Sequence, residues 1–284
     1  MIKLIFNPFW ILIYILPFNL FCTKGDVSDV IPPYNQRITK NISYNNVSVD
    51  VIIDMPGSKE VDVLIVYHGT VFLDSKILDA ANNVLDRFKA LLDKEMMIVS
   101  VAYPEENLLM GDNLLHSEAA LLWVKNRASG QLGVTIKRIF LAGHSQGGYI
   151  VTRLNTMHQT NGVIANAPGP LNLVYRCNLE ELGLVATTVT CNLLRATYGT
   201  TSSNPGAYFE RSLLNFTQGF KSDILFVQGL NDSPIQMYSW PLFKSNIAES
   251  STSKMVKFLD LPNYGHAALF ESPQAKSEFN KFLE

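Results

Sequence analysis

From Val61 to Leu261 the chain repeats one pattern: a short apolar run, then a longer stretch whose apolar residues recur at helical spacing. Val61 to Tyr67 is nearly all apolar and β-branched, as a strand buried on both faces must be. Met96 to Ala102, Arg138 to Ala142, Val163 to Ala167, Ile224 to Gln228 and Met255 to Leu261 are the further strand-like runs. Between them, Leu78, Ala81, Leu85, Phe88 and Leu92 mark one helix, Leu115, Ala119, Leu122 and Trp123 another, and Gln146 to Met157 a third. A last helix starts at Ser272, a good N-cap, with Pro273 at its first position and Phe279 and Phe282 facing inward. Ahead of the repeat, Val47, Val49, Val51 and Ile53 alternate with polar neighbours, broken only by Ile52, as in a half-exposed strand. Asn45-Asn46 turns that strand back onto Ile38 to Tyr44. The expected fold is therefore α/β: a mostly parallel sheet with helices on both faces, led by an antiparallel hairpin.

The first residues stand apart from this pattern. Lys3 is followed by an apolar stretch to Phe21, interrupted by Asn7, Pro8, Pro17 and Asn19. It is short for a spanning helix and fits a secretory signal peptide, with an uncleaved anchor helix as the other reading. Cys22 stands where a bacterial lipoprotein carries its acylated cysteine, although the bulky Phe21 departs from the usual small residue. Residues 1–22 are thus expected to be a signal peptide or a membrane or lipid anchor, 23–37 a polar linker, and 38–284 one domain. The expected location is secreted, periplasmic or membrane-anchored through the N-terminus. In such a compartment Cys177 and Cys191 are either a disulfide or two buried thiols. The sequons at Asn41, Asn46 and Asn215 matter only in a eukaryotic secretory route.

An apolar fraction of 47% and a charged fraction of 17% describe a packed globule, and a net charge of -2 offers no basic footprint for nucleic acid. No Cys–His cluster suggests zinc, and no cofactor is implied.

The chemistry centres on Gly143-His144-Ser145-Gln146-Gly147-Gly148, where an apolar strand runs directly into a turn and a helix leaves it. That context marks a nucleophile elbow, which holds the serine in a strained conformation with its hydroxyl exposed. A serine hydroxyl needs a base to take its proton. Of the five histidines, His144 lies inside the elbow, His116 and His158 fall on helix patterns, and His68 is read as a support for its own loop. His266, between the last strand and the last helix, lies at the sheet edge where Ser145 is expected. Asp232, in the loop after Ile224 to Gln228, is the carboxylate expected to orient it; Asp260 sits inside a strand and Asp223 at the wrong end of one. The backbone N–H groups of Gln146 and Thr70 are the expected oxyanion donors.

Together with His68-Gly69, Gln228-Gly229-Leu230-Asn231-Asp232 and Tyr264-Gly265-His266, these residues resemble the α/β-hydrolase superfamily. The details are most similar to the prolyl oligopeptidase catalytic domain and to dienelactone hydrolase-like esterases. The resemblance covers the chain from about Ile38 onward and implies acyl transfer through Ser145, His266 and Asp232. Peptidases of that family usually carry a β-propeller ahead of the domain. The segment here is too short for one, which favours a stand-alone esterase acting on a small-molecule ester, with a membrane engaged only through the N-terminal segment. A small peptidase and an inactive, binding-only hydrolase are the alternatives. Residues 168–222 are expected to form a helical cap over Ser145. Its apolar residues, among them Leu171, Leu173, Tyr175, Leu194, Tyr198 and Tyr208, either line the substrate cleft or pack the cap onto the body.

Overall fold

The computed structural model describes residues 36–104, 111–250 and 253–284. The signal or anchor segment, Cys22 and nearly all of the linker lie outside the described residues. Eight strands form one sheet in the order β1-β2-β4-β3-β5-β6-β7-β8. The hairpin β1 (Arg37–Tyr44) and β2 (Val47–Asp54) is antiparallel and joins β4 (Met97–Ala102) antiparallel. All remaining pairs are parallel, through β3 (Glu60–Tyr67), β5 (Thr135–His144), β6 (Gly162–Asn166), β7 (Ile224–Gly229) and β8 (Val256–Leu261). Asn45 and Asn46 both take positive φ, as a two-residue hairpin turn demands, and asparagine tolerates this better than most residues.

The apolar runs lack alternation because the sheet is covered twice. Along β3, Val63, Ile65 and Tyr67 join the core beneath α2 (Gly111–Trp123), α4 (Gln146–Met157) and α8 (Pro234–Ala248). Leu64 and Val66 point the other way, into a second core under α1 (Ile77–Lys89) and α10 (Pro273–Leu283). Phe279 is fully buried there, and burying such a ring contributes about 3 kcal/mol. The Ser272 side chain accepts from the Ala275 N–H, capping α10 as the sequence implies.

Three local expectations are corrected. β2 is half-exposed only over its first residues: it lies inside the sheet, so Ile52 is buried in the second core while Val51 and Ile53 enter the first. Leu78 and Leu115 are exposed, and the inward faces are carried by Ala81, Val84, Leu85 and Phe88 in α1 and by Ala119, Ala120 and Leu121 in α2. β5 starts three residues before Arg138, because a charge in the middle of the sheet finds a partner: Arg138 Nη2 donates to Asp62 Oδ2 of neighbouring β3 at 2.7 Å.

The stretch between β6 and β7 is helical, with α5 (Leu173–Glu181), α6 (Val189–Tyr198) and α7 (Pro205–Phe209). Leu173, Leu194, Ala207 and Tyr208 pack with Cys177 and Cys191 into a small core of their own, and the two cysteines are bonded. The carboxylate of Glu180, almost fully buried, accepts from Arg176 Nε at 2.6 Å, Thr188 N at 2.8 Å and Thr188 Oγ1 at 2.9 Å, which ties α5 to the start of α6.

Candidate active site

Strand β5 runs into Ser145, which takes φ 58° and ψ -118°, and α4 begins at the next residue. A non-glycine residue at positive φ and this ψ costs of order 1–3 kcal/mol and survives only where its surroundings fix it. Here the Ser145 N–H donates to Asn166 O at 2.9 Å, and Ser145 O accepts from Tyr149 N and Gly169 N. The turn is so tight that a Cβ on Gly143 would overlap the Gly147 carbonyl, and one on Gly147 would overlap the Tyr67 carbonyl at the end of β3. Glycine is required at both positions for lack of space. The first N–H groups of α4 have no helical acceptor and put partial positive charge beside Ser145.

Asp232 follows β7 and His266 follows β8, so parallel neighbours deliver both loops to one sheet edge. The loops touch at Gly229, where a Cβ would overlap the Tyr264 and Gly265 carbonyls, and Asn231 N donates to Tyr264 O at 2.9 Å. His266 Nδ1 donates to Asp232 Oδ2 at 2.8 Å. The Asp232 carboxylate also accepts from Gln228 Nε2 at 3.0 Å and from Ser233 N at 2.6 Å. Burial alone would raise its pKa, but the bonds from His266, Gln228 and Ser233 outweigh that and hold it below the usual carboxylate range. The side chain of Asp232 is 5% exposed and that of His266 47%, so the imidazole is the member that faces solvent.

Ser145, Gln146, His266 and Thr70 line one cleft of about 240 Å³. Gly69 packs against the Ser145 turn: a Cβ there would lie 3.4 Å from Ser145 Cβ, which places the loop after β3 beside the serine. His68 is buried, donates from Nδ1 to Gly69 O at 2.7 Å and stacks on Tyr103 with ring centroids 3.9 Å apart. The Tyr103 hydroxyl donates to the His68 carbonyl. Burial pushes the His68 pKa down to about 4, so it is a neutral support at physiological pH. The other candidates lie elsewhere. His158 pairs with Glu118 at 2.6 Å, Asp260 accepts from Trp240 Nε1 and Lys244 Nζ, and Asp223 accepts from Met255 N.

Two polar residues without a role in the sequence reading organise the site. Asn166, at the end of β6, donates from Nδ2 to His144 Nδ1 at 2.8 Å and to the His266 carbonyl at 3.4 Å, and accepts from Leu269 N at 3.2 Å. Because Asn166 donates, His144 Nδ1 accepts, so His144 is neutral; burial together with the charges of His266 and Arg87 pushes its pKa down to about 3. Gln228, at the end of β7, holds Asp232 and accepts from Gln236 Nε2 at 3.1 Å. Each is a fully buried polar residue closing an apolar strand, and that is the signal that marks them.

The cap supplies one wall of the cleft through Leu171, Leu173, Arg176, Thr188, Thr190 and Cys191. Its aromatic residues do not line it: Tyr208 is buried in the cap core with Tyr198 against it, and Tyr175 stacks on Tyr238 with centroids 3.9 Å apart. Among the described residues, the phenyl ring at the cleft is Phe72, from the loop after β3.

The chain has the α/β-hydrolase fold. The acylaminoacyl peptidase of Pyrococcus horikoshii matches it with a TM-score of 0.63 at 14% identity, over 88% of this chain and 42% of that one, so the chain spans less than half of that peptidase's length. Est1E from Butyrivibrio proteoclasticus gives 0.61 at 14% identity, over 86% of this chain and 97% of its own. A fungal esterase from Rhizomucor miehei gives 0.62 at 15% identity, over 90% and 84%. No family model matches the sequence, and no curated protein matches it.

Proposed function

We propose that this protein is a serine hydrolase that cleaves small carboxylic esters through an acyl-enzyme. The observation that carries the reading is the 2.8 Å bond from His266 Nδ1 to a buried Asp232, in a cleft that Ser145 also lines from a strained turn. Ser145 Oγ attacks the ester carbonyl while His266 Nε2 takes its proton, and Asp232 holds the imidazole in the tautomer that leaves Nε2 free to do so. The N–H groups of Gln146 and Thr70 receive the oxyanion. Collapse expels the alcohol, protonated by His266, and water attacks the acyl-Ser145 ester by the same route in reverse.

A cleft of about 240 Å³ with leucine, phenylalanine and threonine in its walls suits a short acyl group. The bonded Cys177–Cys191 pair supports an oxidising destination, consistent with export or anchoring through the N-terminal segment.

The test is a substrate panel: para-nitrophenyl esters of short and long acyl chains beside aminoacyl para-nitroanilides. Turnover of short-chain esters, and not of anilides, is the expected result. Anilide turnover at comparable kcat/KM would assign the protein to the peptidases. Absence of both, in protein shown to be folded, would leave the binding-only reading.

A further inference from the structure

Arg176 is the single permanently charged side chain that lines the cleft among the described residues. A guanidinium has five N–H donors. Nε is committed to Glu180 Oε1 at 2.6 Å and one Nη2 hydrogen to Ala186 O at 3.2 Å, so three donors, both on Nη1 among them, stay uncommitted. Glu180 lies behind the guanidinium with its side chain 1% exposed, and the backbone and hydroxyl of Thr188 complete its bonding. The arginine is therefore fixed in orientation before any ligand arrives, so little side-chain freedom is lost on binding. It lines the cleft with its Nη1 donors outside the hydrogen bonds found among the described residues. The matching group is a planar anion that takes two parallel N–H bonds.

We infer that Arg176 sets substrate specificity by binding a carboxylate carried on the non-reacting part of the acyl group. The preferred esters are then those of dicarboxylic acids with one acid left free. This rests on the reading of the cleft as an esterase site. The Cys177–Cys191 bond ties the helix that carries Arg176 to the helix that begins beside Thr188, which holds the arginine and its Glu180–Thr188 support together.

The test compares the para-nitrophenyl half-ester of glutaric acid with para-nitrophenyl pentanoate, a neutral ester of the same chain length. Wild type is expected to favour the half-ester roughly tenfold or more in kcat/KM, mainly through KM, since a charge-assisted pair is formed in binding. Arg176→Gln brings that ratio to near unity, and Arg176→Lys keeps part of it. No preference in wild type, or an equal loss on both esters in Arg176→Gln, would overturn the inference. A purely structural arginine gives the equal loss. Calorimetry with glutarate on Ser145→Ala separates this from the chemistry. Glutarate binding that Arg176→Gln abolishes, when the protein with Ser145 intact turns over neither ester, keeps the subsite and removes the esterase reading. If a dipeptide with a free C-terminus competes with glutarate and is cleaved by the protein with Ser145 intact, the carboxylate belongs to a peptide terminus. No glutarate heat in either background contradicts the assignment.

Discussion

Asp232→Asn lowers kcat for ester hydrolysis about ten-thousand-fold with little change in KM, because Asp232 governs the imidazole without lining the cleft. In the native site Oδ1 accepts from Ser233 N and Oδ2 accepts from both His266 Nδ1 and Gln228 Nε2. An asparagine must keep its oxygen toward the Ser233 N–H, which turns its NH2 to the other two partners. His266 Nδ1 then has to accept, its proton moves to Nε2, and the base loses the lone pair that Ser145 needs. Gln228 meets a second donor and loses its partner. Asp260→Asn, by contrast, leaves kcat within a factor of a few, since that carboxylate serves Trp240 and Lys244. The pair is measured as kcat at pH 7 on variants with confirmed thermal melts. A loss below tenfold in Asp232→Asn would remove it from the triad.

Acid is expected to unfold this domain as two buried histidines take up protons. Burial drives the pKa of His68 down to about 4, and burial with the charges of His266 and Arg87 drives His144 down to about 3, against 6.5 for either in the unfolded chain. Their native forms are neutral, so the unfolded chain takes up protons first as pH falls. Their contribution is complete above pH 6.5 and is lost progressively down to the folded values. At 1.4 kcal/mol per pKa unit the loss by pH 4 is about 3 kcal/mol for each histidine. Two such losses amount to much of the 5–15 kcal/mol that holds a domain together, so unfolding sets in near pH 4. Asp232 has its pKa lowered, so its own contribution persists above its unfolded value and disappears only as pH falls further. Urea melts at pH 7, 5.5 and 4 read the effect, and His68→Gln gives a shallower pH dependence. Equal midpoints at pH 7 and pH 4 would contradict it.

The parts of this architecture that were legible in the sequence are those set by local sterics. Gly143 and Gly147 flank Ser145 because no Cβ fits there, and that requirement stands in the sequence whatever surrounds it. The continuous apolar run in β3 likewise reports a strand covered on both faces. What depends on distant neighbours was not legible. Ile52 looks like a fault in the alternation of β2 until that strand is seen between β1 and β4. Leu78 and Leu115 keep helical spacing with their exposed faces, which periodicity alone does not separate from buried ones. The cap aromatics were open between cleft and packing because only tertiary contact shows that Tyr208 closes a core with the disulfide. Asn166 and Gln228 carry the hydrogen bonds that join three strand ends, and their partners lie up to 103 residues away. Asp232 and His266 were placed by their position after β7 and β8, and it is the parallel register of those strands that lets their loops meet.

The most direct test of the account is whether Ser145 is an activated nucleophile. A fluorophosphonate reacts with a serine that has a working base and oxyanion donors, and its adduct is mapped by intact mass and peptide sequencing. One stoichiometric adduct on Ser145 is expected, absent in Ser145→Ala and strongly slowed in His266→Ala. Folded wild-type protein that gains no mass, or an adduct that persists in Ser145→Ala, would contradict it.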